Sequence, residues 1–329
     1  MSKHRIAAAS AVALGVGFLA VTTASGQEVQ FTFATTNGIA DLSSQAMLRF
    51  EQMLEERSGG EIRMEFISGG ALGGDQELLQ QLATNEIQMH IAGPVIVHRL
   101  LPLYQCLEAE YVYEDEEHGM RVWTGELGAE VSDALKEQYG IEIVAIGARG
   151  ARHVTSNTPI REPSDLEGVK IRVTNPLRTE VFAAYGALPG PLSISELYGA
   201  LRQGVFDAEE NPISTIYGNK FYEVQDFINL TGHVQSYNVI TANSDFLESM
   251  TTEQRAIFDQ ALADATLSLN QAVAEEIEVL LQRMQEEEEV EVVEPDVAAF
   301  REVALPIVRA FAEENCKPGL LDAIQSHTK

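Results

Sequence analysis

Arg152, Arg172 and Asn211 are the residues whose types and spacing point most directly to chemistry. A guanidinium is planar and presents paired N–H donors that match the two oxygens of a carboxylate, a fit that the single ammonium of lysine does not reproduce. An asparagine beside Pro212 adds amide donors to the same anion. Together the three read as a clamp for an organic anion. Each has a plainer reading too: an arginine on a strand is often a surface side chain or a partner for a nearby glutamate. The stretch Asp207–Pro212, DAEENP, equally reads as a solvated, carboxylate-rich turn.

Other chemistry is poorly represented. The seven histidines form no HExxH, and Cys106 and Cys316 lie far apart in the chain, so no structural metal is expected. The loop GGALGGD, Gly69–Asp75, lacks the GK[ST] ending of a phosphate cradle and reads as a turn before a helix. There is no GxSxG elbow and no cysteine paired by motif with a histidine. No cofactor is implied. An enzyme remains as a rival class, in the form of an exported hydrolase with Asp75 or Glu210 as general base.

The elements that would position the clamp follow from hydrophobic periodicity. Val169, Ile171 and Val173 alternate with Lys170, Arg172 and Thr174, the pattern of a strand whose two faces differ, so Arg172 is aimed. Helices are predicted at Arg178–Tyr185 and Ile194–Gln203, between that strand and the Asp207–Pro212 turn. Earlier, strands at Gln30–Ala34, Ile62–Ile67 and Ile87–Ala92 alternate with helices at Leu42–Ser58, which stops at Gly59-Gly60, and at Gln76–Thr84. Helical character over Glu117–Tyr139 leads into a strand at Ile141–Ile146, and Gly147–Arg152 reads as a crossing between domains. Short strands follow at Val154–Ser156, Phe227–Leu230 and Val239–Ala242. Thr252 to about Glu289 is almost free of Gly and Pro and predicts one long helix or two abutting ones, ending in a solvated charge patch at Glu286–Glu289. This is the grammar of a mostly parallel sheet covered by helices, in a chain long enough for about two domains.

Composition narrows the setting. Lys3 and Arg5 precede an apolar run from Ile6 to Val21 and the small residues Ala24, Ser25 and Gly26, which reads as a secretory signal peptide over residues 1–26. No later segment has the run of apolar residues that a membrane span needs. With 22 Lys plus Arg against 50 Asp plus Glu, the net charge of -28 disfavours nucleic acid as a partner. An oxidising compartment permits a Cys106–Cys316 disulfide, but the pairing depends on a Cα separation that the sequence does not supply.

Several segments, in order, resemble one known family. They are Ser58-Gly-Gly-Glu-Ile62, Ala71-Leu-Gly-Gly74, Glu167-Gly-Val-Lys-Ile-Arg-Val173, Gly186-Ala-Leu-Pro189, Glu196-Leu-Tyr-Gly-Ala-Leu-Arg-Gln-Gly204, Asp207–Pro212 and Lys220-Phe-Tyr-Glu-Val224. The set resembles the DctP-like solute-binding proteins of tripartite ATP-independent periplasmic (TRAP) transporters, over most of the chain after the signal. The resemblance implies an α/β, two-lobed periplasmic binding protein fold, each lobe a mixed, mostly parallel sheet flanked by helices, with a long helix spanning both. Lobe I would comprise residues 27–149 and 237–277, lobe II residues 150–236 and 278–329. It also implies a periplasmic protein that closes on a small-molecule ligand and hands it to the membrane subunits of the transporter.

By the same resemblance the arginine of the KIRV strand, Arg172, binds the substrate carboxylate, joined by Arg152 and Asn211. Thr36, Asp75, Gly93, Ile194, Glu110 and Tyr237 are the further substrate contacts expected. The chain departs from the family where DGQENP would be usual, with Ala208 and Glu209 in place of Gly and Gln, and around Leu107–Tyr113, where acids replace an apolar-proline pair. The expected ligand is a small organic acid. A zwitterionic or amine-bearing ligand is the alternative, because Glu108, Glu110 and Glu209 would bring negative charge near the cleft.

Overall fold

Alternation in the strands sorts the apolar side chains onto two faces. In the computed structural model, which describes residues 28–287 and 289–327, β1 (Val29–Ala34) sends Phe31 and Phe33 to one hydrophobic cluster and Ala34 to another. The predicted signal peptide lies outside the described residues. The remaining strands are β2 (Ile62–Ile67), β3 (Met89–Ala92), β4 (Ile141–Ser156), β5 (Lys170–Val173), β6 (Leu188–Pro191), β7 (Ala208–Pro212), β8 (Phe227–Asn243) and β9 (Glu291–Val293).

They form one sheet in the order β2-β1-β3-β8-β4-β7-β5-β6, with β9 against β8. The strands β1, β2 and β3 are mutually parallel where they pair, as are β5, β6 and β7, and β9 is parallel to β8. Antiparallel pairing is confined to β3 with β8 and to β4 with β7 and β8. The mostly parallel sheet flanked by helices is therefore as expected, and its two halves are joined edge to edge.

The join is made by β4 and β8, of 16 and 17 residues. From sequence each reads as two short strands, with Gly147–Arg152 as a crossing loop. In the structure the crossing is itself strand, broken only by register shifts at Ile143/Ala145, Ala148/Gly150 and Arg152/Val154. Such irregularities bend a strand without ending it.

Helices cover both faces. The helix Leu42–Ser58 starts at Asp41, whose side chain accepts from the Ser43 N–H, and stops at Gly59 in the left-handed region, as its sequence predicts. The stretch predicted helical from Glu117 is two helices, Glu116–Thr124 and Glu126–Tyr139, separated by extended backbone at Gly125. Thr252–Glu287 is a single helix of 36 residues, about 54 Å long at 1.5 Å per residue. It packs against Leu42–Ser58, β4 and the helix Ile213–Gly218. At its end Glu286, Glu287 and Glu289 are exposed, the solvated patch expected there.

Cys106 and Cys316 are bonded, with their Cα atoms 6.2 Å apart. The bridge ties the 3-10 turn Pro102–Glu108 to the end of the helix Val297–Asn315.

Candidate binding site

A cavity of about 540 Å³ opens between the two halves of the sheet. Thr36, Asp75 and Gly93 line it from one side, Arg172, Ile194 and Asn211 from the other, and Arg149 and Arg152 from β4 between them. Alternation along β5 buries Ile171 and Val173 in the core and leaves Arg172 on the opposite face. Arg172 is 4% exposed; its Nε donates to the Leu192 carbonyl oxygen at 2.9 Å, and its Nη1 has no partner. Burial pushes its pKa down, while Glu210 and Glu209 push it back up. A guanidinium stays charged through such opposing shifts, so the cavity holds a fixed cation with an unmet donor.

Arg152 and Asn211 are tied to acids of β7. Arg152 Nε donates to Glu210 Oε2, and its Nη2 donates to the Glu210 carbonyl oxygen and to Asn211 Oδ1, the last at 3.1 Å. Asn211 Nδ2 in turn donates to Glu209 Oε2. The predicted turn at Asp207–Pro212 is therefore corrected: residues 208–212 are a buried strand, paired with β4 and β5. Its acids are buried because buried arginines need counter-charges. Burial alone would raise the Glu210 carboxyl, but Arg152, Arg178 and a hydrogen bond from His233 outweigh it and hold Glu210 well below the usual carboxylate range. Glu209 has weaker support, and burial pushes it up to about 7.

Two arginines in this network were not singled out from sequence. Arg178, on the helix Pro176–Ala184, is fully buried; its Nε meets Glu110 Oε1 at 3.0 Å and its Nη1 lies 3.5 Å from Glu210 Oε1. Arg149 lines the cavity and donates through Nη2 to Thr215 Oγ1 at 3.1 Å and Asn37 Oδ1 at 3.3 Å. A spacing of three puts two residues on opposite faces of a regular strand. The register shift between Ala148 and Gly150 brings Arg149 and Arg152 to the same cavity. Gly93 leaves room for this arrangement, since a Cβ there would sit 3.3 Å from Arg149 Nη1.

The other expected contacts divide. Thr36 Oγ1 donates to Asp75 Oδ1 at 2.8 Å, at the start of the helix Asp75–Ala83, and Ile194 supplies an apolar wall. Glu110 and Tyr237 do not line the cavity. Glu110 is consumed by Arg178, and Tyr237 faces the core, donating to the Glu116 carbonyl oxygen at 2.8 Å. Of the three acids considered near the cleft, Glu108 lines it, while Glu110 and Glu209 are buried behind it. The GGALGGD loop presses on the far wall: a Cβ on Gly70 would fall 2.9 Å from Ser195 Cβ, and one on Gly74 would fall 2.9 Å from Ser193 Oγ. Among the described residues no cluster of three or more His, Cys, Asp or Glu is placed to hold a metal ion.

Residues 33–315 match the model of the bacterial extracellular solute-binding protein family 7, DctP. The chain belongs to this family. A solute-binding protein of Roseobacter denitrificans is 31% identical over 92% of this chain and 93% of its own. An ectoine/5-hydroxyectoine-binding periplasmic protein of Ruegeria pomeroyi is 28% identical over 92% and 90%. Among solved structures, a TRAP periplasmic solute binding protein from Ochrobacterium anthropi with bound L-fuconate superposes with a TM-score of 0.85, at 29% identity, over 92% of this chain and 100% of that one. A TRAP periplasmic solute binding protein from Roseobacter denitrificans with bound L-galactonate gives 0.84 at 28%, with the same coverage. The TRAP resemblance and the periplasmic location thus stand together, and among the described residues no helix is long and apolar enough to cross a membrane.

Proposed function

We propose that this family 7 protein captures a small organic carboxylate on Arg172, closes over it and delivers it to a TRAP-type membrane permease. The observation that carries this reading is the unpartnered Nη1 of Arg172, a buried cation facing a cavity while the nearby acids Glu209 and Glu210 are occupied by Asn211, Arg152 and His233. A ligand carboxylate would complete the guanidinium with charge-assisted hydrogen bonds. The relatives and structures whose ligands are named include binders of sugar acids, which fits the same chemistry.

Closure is read as a rocking of lobe I (27–149 and 237–277) against lobe II (150–236 and 278–329). The irregular middles of β4 and β8 are the natural places for it to bend, and the cavity draws its walls from both sides. Ligand contacts on both walls would favour the closed form.

A zwitterionic ligand is the second reading, favoured by Glu108 in the cavity wall and by the ectoine-binding relative. The hydrolase reading is weaker, because Asp75 is engaged by Thr36, and Glu210, held far below neutrality by arginines, is a poor general base. A melting-temperature screen of monocarboxylates, dicarboxylates, sugar acids and ectoine-like zwitterions tests the proposal. A ligand at 100 times its Kd stabilises by about 2.7 kcal/mol, and the bound compound should be recovered unaltered. Stabilisation by no organic acid, or conversion of the bound compound to product, would overturn it.

A further inference from the structure

Two polar side chains in the cavity wall have no part in the arginine clamp. His98, on the short helix Val95–Leu100, and Glu108, at the end of the turn Pro102–Glu108, both line the cavity with side chains only 6% and 7% exposed. His98 Nδ1 and Glu108 Oε2 face each other at 3.5 Å as a loose pair, and His98 Nε2 has no hydrogen-bond partner. Buried polar atoms are almost always satisfied, because leaving one unpaired forfeits its hydration. An unpartnered His98 Nε2 beside an incompletely satisfied Glu108 Oε2, on one wall, is a demand that a ligand can meet.

The chemistry of that demand is specific. Burial pushes the Glu108 carboxyl up, but His98, Arg178 and Arg152 together bring it down to about 2, so it is ionised and acts only as an acceptor. An ionised acceptor takes O–H donors and repels a second carboxylate. No Phe, Tyr or Trp lines the cavity among the described residues, so it lacks the large ring faces on which delocalised cations are usually held. The turn that carries Glu108 is anchored two residues earlier by the Cys106–Cys316 bridge, which holds the acceptor in place.

We propose that His98 and Glu108 form a hydroxyl-reading subsite, so that the ligand is a polyhydroxylated monocarboxylate with its carboxylate on Arg172 and chain hydroxyls on this pair. The subsite deepens the carboxylate reading and rests on it for the ligand's other end.

Calorimetric titration of the mature protein and of the variants Glu108→Gln and His98→Gln tests it, with C6 aldonates (gluconate, galactonate, gulonate, mannonate), hexanoate, 6-aminohexanoate, succinate and sorbitol as probes. Far-UV circular dichroism of both variants reports folding, and either variant alone suffices. The expected result is that the wild type prefers its best aldonate to hexanoate and succinate by about tenfold or more. Each variant should lose roughly 10- to 100-fold in aldonate affinity while hexanoate changes by less than about threefold. Equal affinity for aldonate and hexanoate, an aldonate preference that survives both substitutions, or a preference for 6-aminohexanoate or succinate would overturn the subsite and leave the carboxylate reading standing. Sorbitol binding as tightly as the aldonate, and lost in the variants, would uphold the subsite and overturn the carboxylate reading. Binding of no probe would overturn both.

Discussion

Arg172 Nε donates to the Leu192 carbonyl oxygen at 2.9 Å, which orients the guanidinium of this cavity-lining residue and leaves its Nη1 without a partner. Orientation by a backbone acceptor leaves the rest of the fork for a ligand and lowers the entropy lost when the ligand binds. Arg152, by contrast, spends Nε and Nη2 on Glu210 and Asn211, which leaves fewer of its donors free for a ligand.

Gly93 is where a single methyl group would reach this cationic wall. A Cβ there lies 3.3 Å from Arg149 Nη1, so Gly93→Ala must displace the guanidinium by a few tenths of an ångström. Gly93→Val should weaken ligand binding by about tenfold, Gly93→Ala by less, because small misplacements of a positioning group are costly. Titration of both variants checks this. An affinity in Gly93→Val equal to that of the wild type would show that Arg149 does not set the shape of the site.

The proposed closure has a contact of its own to test. Gly74 stands where a Cβ would fall 2.9 Å from Ser193 Oγ, across the mouth of the cavity. Gly74→Val should therefore diminish the ligand-induced compaction seen by small-angle X-ray scattering, and adding Ser193→Gly should restore part of it. Wild-type profiles that are identical with and without ligand would argue against closure altogether.

Acid should destabilise the fold through its buried histidines. Burial lowers His90 to about 4, His153 to about 3 and His233 to about 4, from an ordinary value near 6.5. Below pH ~6.5 the unfolded chain takes up protons that the folded chain refuses, so stability falls from there toward pH ~4 and ~3. Glu209, raised to about 7, works in the opposite sense between pH ~7 and ~4.5, because its protonated form is favoured in the fold. Glu110, also raised by burial, acts in the same sense as Glu209, but the three histidines outnumber these two carboxyls, so the net expectation is a loss of stability from pH ~6.5 toward ~4. Urea melts across that range check the sign, and a stability that is flat or rises toward pH 4 would contradict it.

The disulfide should carry part of the stability. It closes a separation of 210 residues, for which the chain-entropy account gives about 5 kcal/mol, while removal of native disulfides commonly costs about 2 to 5 kcal/mol. Cys106→Ala combined with Cys316→Ala should lower the denaturation midpoint accordingly. An unchanged midpoint would mean that the helix Val297–Asn315 and the turn Pro102–Glu108 are held together without it.

The sequence made Arg172 legible because a strand's period of two is a local property, visible within Val169–Val173. The burial of Glu209 and Glu210 was not legible. Ala208–Pro212 has little apolar character, and what buries it is pairing with β4 and charges brought from elsewhere. Arg178 was missed for a related reason: its partner Glu110 is 68 residues away, so nothing near it in the chain marks it as buried. The long strands β4 and β8 read as fragments because glycines and bulges interrupt their alternation in the middle, where the structure keeps pairing through register shifts. Tyr237, expected at the ligand from the resemblance, instead faces the core, and the pattern of its strand alone does not say which face meets a cavity and which meets the core.

The central claim is that a ligand carboxylate completes Arg172. Calorimetric titration of Arg172→Met with the ligand that binds the wild type tests it most directly, far-UV circular dichroism confirming that the variant is folded. Removing one partner of a buried charge pair costs about 3 to 5 kcal/mol, so the account predicts a Kd raised by roughly two to three and a half powers of ten. A Kd unchanged from the wild type would contradict it.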